Sequence, residues 1–151
     1  MVTDFKPHHI PYLEEIDRES YKFPWWENSW ADLGDLKVRV LENNTLERHS
    51  FGVIGFSSYQ VITVNNKAIA LHIHKLCVAK QYRNKGHGST LHRDLLRVAQ
   101  QQKIKQLFMV VHEENNNIPW LQSWGWNAVS VRSNLYPDGR DGYVFERGVY
   151  L

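Results

Sequence analysis

The run Arg83-Asn84-Lys85-Gly86-His87-Gly88, followed by Ser89 and Thr90, gathers two glycines, two cations and two hydroxyls between a strand-like and a helix-like segment. The first N–H groups of a helix have no partner inside it, and the positive end of the helix dipole lies beside them. Anions bind at such places, and glycine lets a phosphate approach the backbone closely. The pattern is neither Gly-x-x-x-x-Gly-Lys-Ser/Thr nor Gly-x-Gly-x-x-Gly, which argues against P-loop NTPases and dinucleotide folds. From Lys75 to Lys105 the cations Lys75, Lys80, Arg83, Lys85, Arg93, Arg97, Lys103 and Lys105 stand against one acid, Asp94. Such an excess fits either an anionic ligand or a solvated basic face.

Imidazole titrates near neutrality, so the histidines are the natural acid–base candidates. His72 and His74 share one side of the alternating segment Ala68 to Val78, which Leu76 and Val78 continue. Two histidines on one strand face resemble a pair of metal ligands, but no carboxylate or cysteine completes a set, and no metal centre is expected. Cys77 is the single cysteine. It permits no intrachain disulfide, fits a reduced compartment and is read as packing rather than as an acyl-carrying nucleophile.

The elements that must position these groups follow from periodicity. Val2 to Phe5 reads as a short strand, and His9 to Glu19 as a helix with Ile10, Leu13 and Ile16 on one face. Phe23-Pro24 stops it, and Trp30, Leu33 and Leu36 suggest a second short helix broken near Gly34. Val38 to Val40 and Phe51 to Thr63 predict antiparallel strands, with a turn at Asn65-Asn66. In Ala68 to Val78 the pattern changes after His74, which predicts a bulge or splay around Lys75 to Val78. Leu91, Leu95, Leu96 and Ala99 mark an amphipathic helix, Lys105 to Val111 an interior strand, and Ile118 to Trp124 a helix with proline early and Gly125 just past its end. Ala128 to Ser133 and Gly142 to Val149 close the chain as a hairpin. Trp120, Trp124 and Trp126 are read as packing.

The signature Arg83-x-x-Gly86-x-Gly88, in this order of elements, resembles the R/Q-x-x-G-x-G/A motif of the GNAT N-acyltransferases. That resemblance implies an α/β (α+β) GNAT fold: a mixed, mostly antiparallel sheet of about seven strands, splayed at the signature strand, with about four helices. It also implies acetyl-CoA as the acyl donor. Leu76, Cys77 and Val78 would hold the pantetheine arm, and Arg83, Asn84, Lys85, Gly86, His87, Gly88, Ser89 and Thr90 the pyrophosphate. Phe23-Pro24-Trp25, Asn115 to Trp126 and Arg132 to Asp141 are similar to segments of the ribosomal-protein alanine N-acetyltransferases. Asn115 would then touch the coenzyme, and Phe23, Trp25 and Tyr136 would shape the acceptor site.

Three positions depart from that pattern. Val110 stands where the family carries a glutamate or histidine base, and Leu121 where it carries the tyrosine acid; Leu135 replaces the first tyrosine of a Tyr-Tyr-Pro segment. His72 occupies the place where other branches carry a catalytic glutamate or tyrosine and is the expected base, acting directly or through one water. His112, two residues beyond Val110 and on the same strand face, is a second candidate. A backbone N–H near Cys77 or Val78 would polarise the thioester.

The chain has 151 residues, a net charge of +2, 42% hydrophobic and 23% charged residues, which suit one soluble globular domain spanning 1–151. No signal-peptide pattern or membrane-length apolar run is present, and a cytoplasmic location is expected, with neither nucleic acid nor membrane as partner. Three functions fit: acetylation of a protein or peptide α-amine in a ternary complex, acetylation of a small amine such as a polyamine or aminoglycoside, and a non-catalytic acyl-CoA-binding or partner-binding module. For the second, the cluster Glu14, Glu15, Asp17 and Glu19 is the one acidic feature near a possible acceptor, and it reads equally well as a solvated helix face.

Overall fold

The computed structural model describes residues 1–21, 33–43 and 52–150. Phe23, Trp25, Trp26 and Trp30 lie outside the described residues. The strands are β1 (Val2–Asp4), β2 (Lys37–Glu42), β3 (Val53–Val64), β4 (Lys67–Val78), β5 (Gln106–His112), β6 (Asn127–Arg132) and β7 (Gly142–Gly148); the helices are α1 (Ile10–Ser20), α2 (His87–Gln101) and α3 (Ile118–Ser123). Single 3-10 turns precede α1 at Pro7–His9 and follow β4 at Lys80–Tyr82. Of the expected second helix, only Leu33 to Leu36 is described, and it is a turn closed by Leu36 N–H to the Leu33 carbonyl at 3.0 Å, with Gly34 at φ +57°.

The seven strands form one mixed sheet in the order β1-β2-β3-β4-β5-β7-β6. β1–β2, β2–β3, β5–β7 and β7–β6 pair antiparallel, whereas β4 and β5 pair in parallel at Leu71–Leu107 and His72–Phe108. Asn65 and Asn66 make the β3–β4 turn with φ of 51° and 62°, the left-handed pair that a two-residue hairpin demands. Two compact units divide the chain: Met1–Gln60 with Lys75–Val98, and Val61–His74 with Ala99–Leu151.

In the first unit Leu13 and Ile16 of α1 pack with Val38, Val40, Val53, Phe56, Cys77 and Ala79. The stripe predicted for this helix is therefore its buried face. Asp17 lies beside that stripe and is only 1% exposed. Its partner is the Lys75 ammonium, itself 6% exposed, in a buried ion pair. This pair explains the change of pattern after His74. β4 is unbroken from Lys67 to Val78, and its inward positions are Leu71, Ile73, Lys75 and Cys77. A lysine occupies an inward position because an aspartate on α1 meets it.

α2 buries Leu91, Leu95 and Ala99, as its periodicity predicts, whereas the predicted Leu96 is only half-buried and Val98 and Asp94 are buried instead. Asp94 accepts two bonds from Arg39 of β2, at 2.9 and 3.1 Å, and one from Arg97 at 2.7 Å. Burial pushes the Asp94 carboxyl up, but the two guanidiniums outweigh it and hold the group below its usual range. Lys75 and Arg97 thus already have anionic partners, which reduces the basic excess that the sequence presents.

In the second unit Leu71, Ile73, Leu107, Met109, Val111, Leu121, Trp126 and Phe145 are buried. Trp126 is 1% exposed, and Trp120 and Trp124 lie 5.9 Å apart in a tilted pair, consistent with packing roles.

Close approach of β3 to β4 fixes one glycine. A Cβ on Gly55 would stand 2.5 Å from the Cys77 carbonyl oxygen and 3.1 Å from the Val78 Cα, both backbone atoms with little room to yield. Gly55→Ala is therefore expected to lower the free energy of unfolding by about 1–3 kcal/mol, as overpacking does, measured by urea denaturation. An unchanged midpoint would show that this strand end relaxes freely.

Candidate active site

In the first unit the strand end and the loop after it are tied down by side chains. Arg83 Nε donates to the Val78 carbonyl at 2.9 Å and Arg83 Nη2 to the Ser20 hydroxyl at 2.9 Å. Lys80 N–H donates to Glu19 Oε1 at 2.7 Å. Asn84 and Gly86 both have positive φ, 63° and 84°. A Cβ on Gly86 would meet nothing within 4 Å, so it is this φ, not crowding, that favours glycine there. The first bond of the α2 ladder runs from Thr90 N–H to the Gly86 carbonyl at 3.2 Å, and the Thr90 hydroxyl donates to the same oxygen. The N–H groups of His87, Gly88 and Ser89 precede that bond. Three donors at a helix N-terminus, an exposed Lys85 and open space at Gly86 fit a pyrophosphate. Arg83 acts differently from the expectation of a bare formal charge: its guanidinium is engaged by Val78 and Ser20.

Cys77 is buried, and burial, with Asp17 nearby, pushes its thiol far above the usual range. It stays a protonated packing group, so no nucleophilic thiolate forms. The Tyr21 hydroxyl, absent from the sequence expectations, donates to the Leu76 carbonyl at 3.3 Å and accepts the Leu76 N–H at 3.2 Å.

In the second unit His72 projects from β4 and stacks on Phe108 of β5, with ring centroids 4.3 Å apart and planes 17° apart. The His74 ring is 4.0 Å away. Burial, then His74 and Arg132, lower the His72 pKa to about 4. Its imidazole is therefore neutral throughout the physiological range and can accept a hydrogen bond or proton. His112, the other candidate, is engaged at both nitrogens. Glu114 N–H donates to Nδ1 at 3.0 Å, which leaves the ring proton on Nε2, and that nitrogen meets Asp138 Oδ2 at 2.8 Å. As placed, His112 is an anchor and has no lone pair to offer an acceptor amine.

That anchor belongs to a network joining the end of β5 to the loop 133–141. Asp141 N–H donates to Glu113 Oε1 at 3.3 Å, Asn134 N–H to Asp141 Oδ1 at 2.9 Å, and Arg140 Nε pairs with Glu114 at 3.0 Å. Tyr136 lies 4.6 Å from the His112 ring, and burial, followed by Asp138, raises its phenol pKa. Asn115 Oδ1 accepts Asn117 N–H at 2.8 Å in a turn that starts α3. Among the described residues, two groups bring three potential metal ligands within 4.8 Å, His8 with His9 and Glu42, and His112 with Glu114 and Asp138. In both, a histidine is hydrogen-bonded to a carboxylate of its own group, and neither includes His72 or His74.

The pattern of the Acetyltransferase (GNAT) family matches residues 4–125. The chain belongs to this family. It is accordingly an acetyl-CoA-dependent N-acetyltransferase with the GNAT fold. Among curated relatives, the [Ribosomal protein bS18]-alanine N-acetyltransferase of Haemophilus influenzae is 26% identical over 136 residues, 86% of this chain and 83% of that protein. Among solved structures, the ribosomal-protein-S18-alanine N-acetyltransferase of Escherichia coli superposes with a TM-score of 0.83 at 20% identity, covering 100% of this chain and 94% of that one. Arabidopsis thaliana NAA60, in complex with a bisubstrate analogue, gives 0.87 at 16% identity and covers 99% of each.

Within the GNAT family the departures at Val110 and Leu135 acquire a packing consequence. A Cβ on Gly142 would fall 2.6 Å from Leu135 Cδ2 and 2.9 Å from Val110 Cγ1. The two apolar replacements thus close over the same backbone position. Leu121 is buried in α3, 6% exposed. Apolar side chains stand at all three positions, which therefore offer no group for proton transfer.

The low pKa of His72 has a thermodynamic signature. The unfolded chain binds this proton near pH 6.5 and the folded chain near about 4, so the contribution to stability is complete above the first value and is lost as pH falls towards the second. Melting curves of the native protein and His72→Gln should therefore shift relative to one another between these limits, the native form losing more. Parallel acid dependence would show that His72 titrates normally.

Proposed function

We propose that this enzyme acetylates the α-amine of a protein or peptide by direct attack on acetyl-CoA in a ternary complex, with His72 as the proton acceptor. The neutral imidazole of His72, half-buried against Phe108, carries this reading. Acyl transfer to nitrogen needs an unprotonated amine and a place for the proton that is lost after attack. His72 has the lone pair, and its low basicity means it directs the proton onward, through one water or directly, rather than storing it. The donor is held by the amides of His87, Gly88 and Ser89 with Lys85, Asn84 and Thr90 beside them, and Asn115 contributes from the loop before α3. Tyr136, braced against His112, and the segment of Phe23 and Trp25 shape the acceptor site. The single buried thiol suits a reducing, cytoplasmic setting.

A cationic small-molecule acceptor is less well served. Of the acidic cluster on α1, Asp17 is buried with Lys75 and Glu19 accepts the Lys80 N–H. Half of the cluster is already engaged in holding the fold. The resemblance to ribosomal-protein alanine acetyltransferases favours a protein N-terminus.

Single-turnover assays with panels of peptides and small amines decide the acceptor. Transfer to peptide α-amines is expected; binding of acetyl-CoA without transfer to any acceptor would overturn the proposal. His72→Gln should slow transfer by about 10²-fold, the low end for a lost general base because this base is weak. The pH profile should rise with the acceptor amine, near about 7.7–8.0 for an α-amine, and should keep its shape in the Gln variant. A limb near pH 6.5 abolished by His72→Gln would show instead an imidazole of ordinary basicity.

A further inference from the structure

β4 presents its backbone to two edges in alternation, since successive N–H and C=O pairs in a strand point to opposite sides. Towards β3 the end of this strand is engaged. Ala79 N–H donates to the Ile54 carbonyl at 2.8 Å, and the Cys77 carbonyl lies over Gly55. Leu76 is offset by one residue from Cys77 and therefore presents its N–H and C=O to the other edge. Among the described residues no strand is seen to bond them; both are met by one side-chain oxygen, the Tyr21 hydroxyl, at 3.2 and 3.3 Å. A hydroxyl can do this because it donates one hydrogen and accepts at its lone pairs.

Tyr21 follows α1 directly, and its ring is held in place. The Lys75 ammonium sits 4.7 Å from the ring centroid and is fixed from its other side by the buried Asp17 carboxylate. Burial, then Cys77 and Asp17, raise the Tyr21 pKa well above that of a free phenol, although the bond to Leu76 opposes this. The hydroxyl is thus a permanent donor at physiological pH and a poor source of a proton. An oriented donor in a water-poor place is the kind of group that stabilises a developing oxyanion without reorganising.

We propose that Tyr21 is the positioning residue for the acyl end of acetyl-CoA: its hydroxyl holds the outer edge of Leu76 in the free enzyme and donates to the thioester oxygen when the donor displaces it. The assignment rests on the reading that Leu76 to Val78 bind the donor. An arriving carbonyl oxygen would accept the Leu76 N–H in place of the phenol oxygen, and the phenol hydrogen would turn from the Leu76 carbonyl to that same oxygen. No bond to carbon forms or breaks in this exchange; two hydrogen bonds change partner. It also gives the enzyme a tyrosine at the thioester, different in origin and role from the absent one at Leu121.

Tyr21→Phe removes the hydroxyl and keeps the ring over Lys75. Calorimetry with acetyl-CoA and with CoA separates the acyl end from the rest of the ligand. Because the hydroxyl gives up two bonds to Leu76 to make one to the acyl oxygen, affinity for acetyl-CoA and for CoA is expected to change by less than about threefold, whereas transfer should slow about tenfold or more, the worth of one hydrogen bond to the developing oxyanion. Single-turnover transfer should slow by more than the loss in affinity, and Tyr21→Leu, which has no ring, should add a loss of melting temperature that Tyr21→Phe lacks. Unchanged single-turnover transfer in Tyr21→Phe with donor affinity retained would overturn the assignment of Tyr21 while leaving the donor site standing. Native protein that binds neither ligand would remove the donor site itself, and this assignment with it.

Discussion

The ion pair between Lys75 and Asp17 is the interaction on which the first unit turns. Both side chains are nearly inaccessible, and the ammonium and carboxylate bridge 58 residues of sequence. Desolvating two charges is costly, and their mutual attraction offsets the cost only while both are present. Removing one partner leaves a buried charge alone, which typically costs about 3–5 kcal/mol. Because Lys75 belongs to β4 and Asp17 to α1, the pair sets how that helix lies on that strand. Tyr21, one residue past the helix, is delivered to the Leu76 backbone as a consequence. Desolvation lowers the Lys75 pKa, and Asp17, followed by Cys77, opposes it without fully restoring the usual value.

Much of the architecture is legible in the sequence because its signals are local. The periodicity of Ile10, Leu13 and Ile16 marks the buried face of α1, the asparagine pair at 65 and 66 a tight hairpin, and Gly125, at φ +88°, the end of α3. The signature loop is legible for the same reason, since glycine spacing and a helix start are short-range facts. What is not legible involves partners distant in the chain. Lys75 reads as part of a basic patch and Asp17 as part of an acidic surface, yet each cancels the other out of sight of solvent. Arg39 and Asp94, 55 residues apart, do the same. A count of charges along a segment cannot tell a cation awaiting a ligand from one already paired.

The histidines show a related distinction. Alternation places His112 on the face of Val110 and so nominates it, but a base must also have an unoccupied lone pair. That depends on the Glu114 amide and the Asp138 carboxylate, which loop geometry brings to it. His72 keeps its candidacy because it stacks on the Phe108 face beside the His74 ring, and burial, with His74 and Arg132, favours its neutral form. Cationic neighbours and partial burial both favour the neutral form, so the same surroundings that make it a weak base keep it ready as an acceptor.

In each unit, then, burial selects the uncharged form of the group best placed to act. Tyr21 is held as a phenol and His72 as an imidazole. A donor and an acceptor of this kind change little with pH across the physiological range, so in the proposed mechanism the ionisation that governs turnover is that of the substrate amine. The apolar side chains of Val110, Leu121 and Leu135 offer no titrating group. In the proposed mechanism the proton leaves through His72, and charge is stabilised by fixed dipoles: the N–H groups at the start of α2 for phosphate, and the outer edge of Leu76 with Tyr21 for the acyl oxygen. Such dipoles need a rigid frame, and the buried pair of Lys75 and Asp17 supplies it at the cost of two charges removed from water.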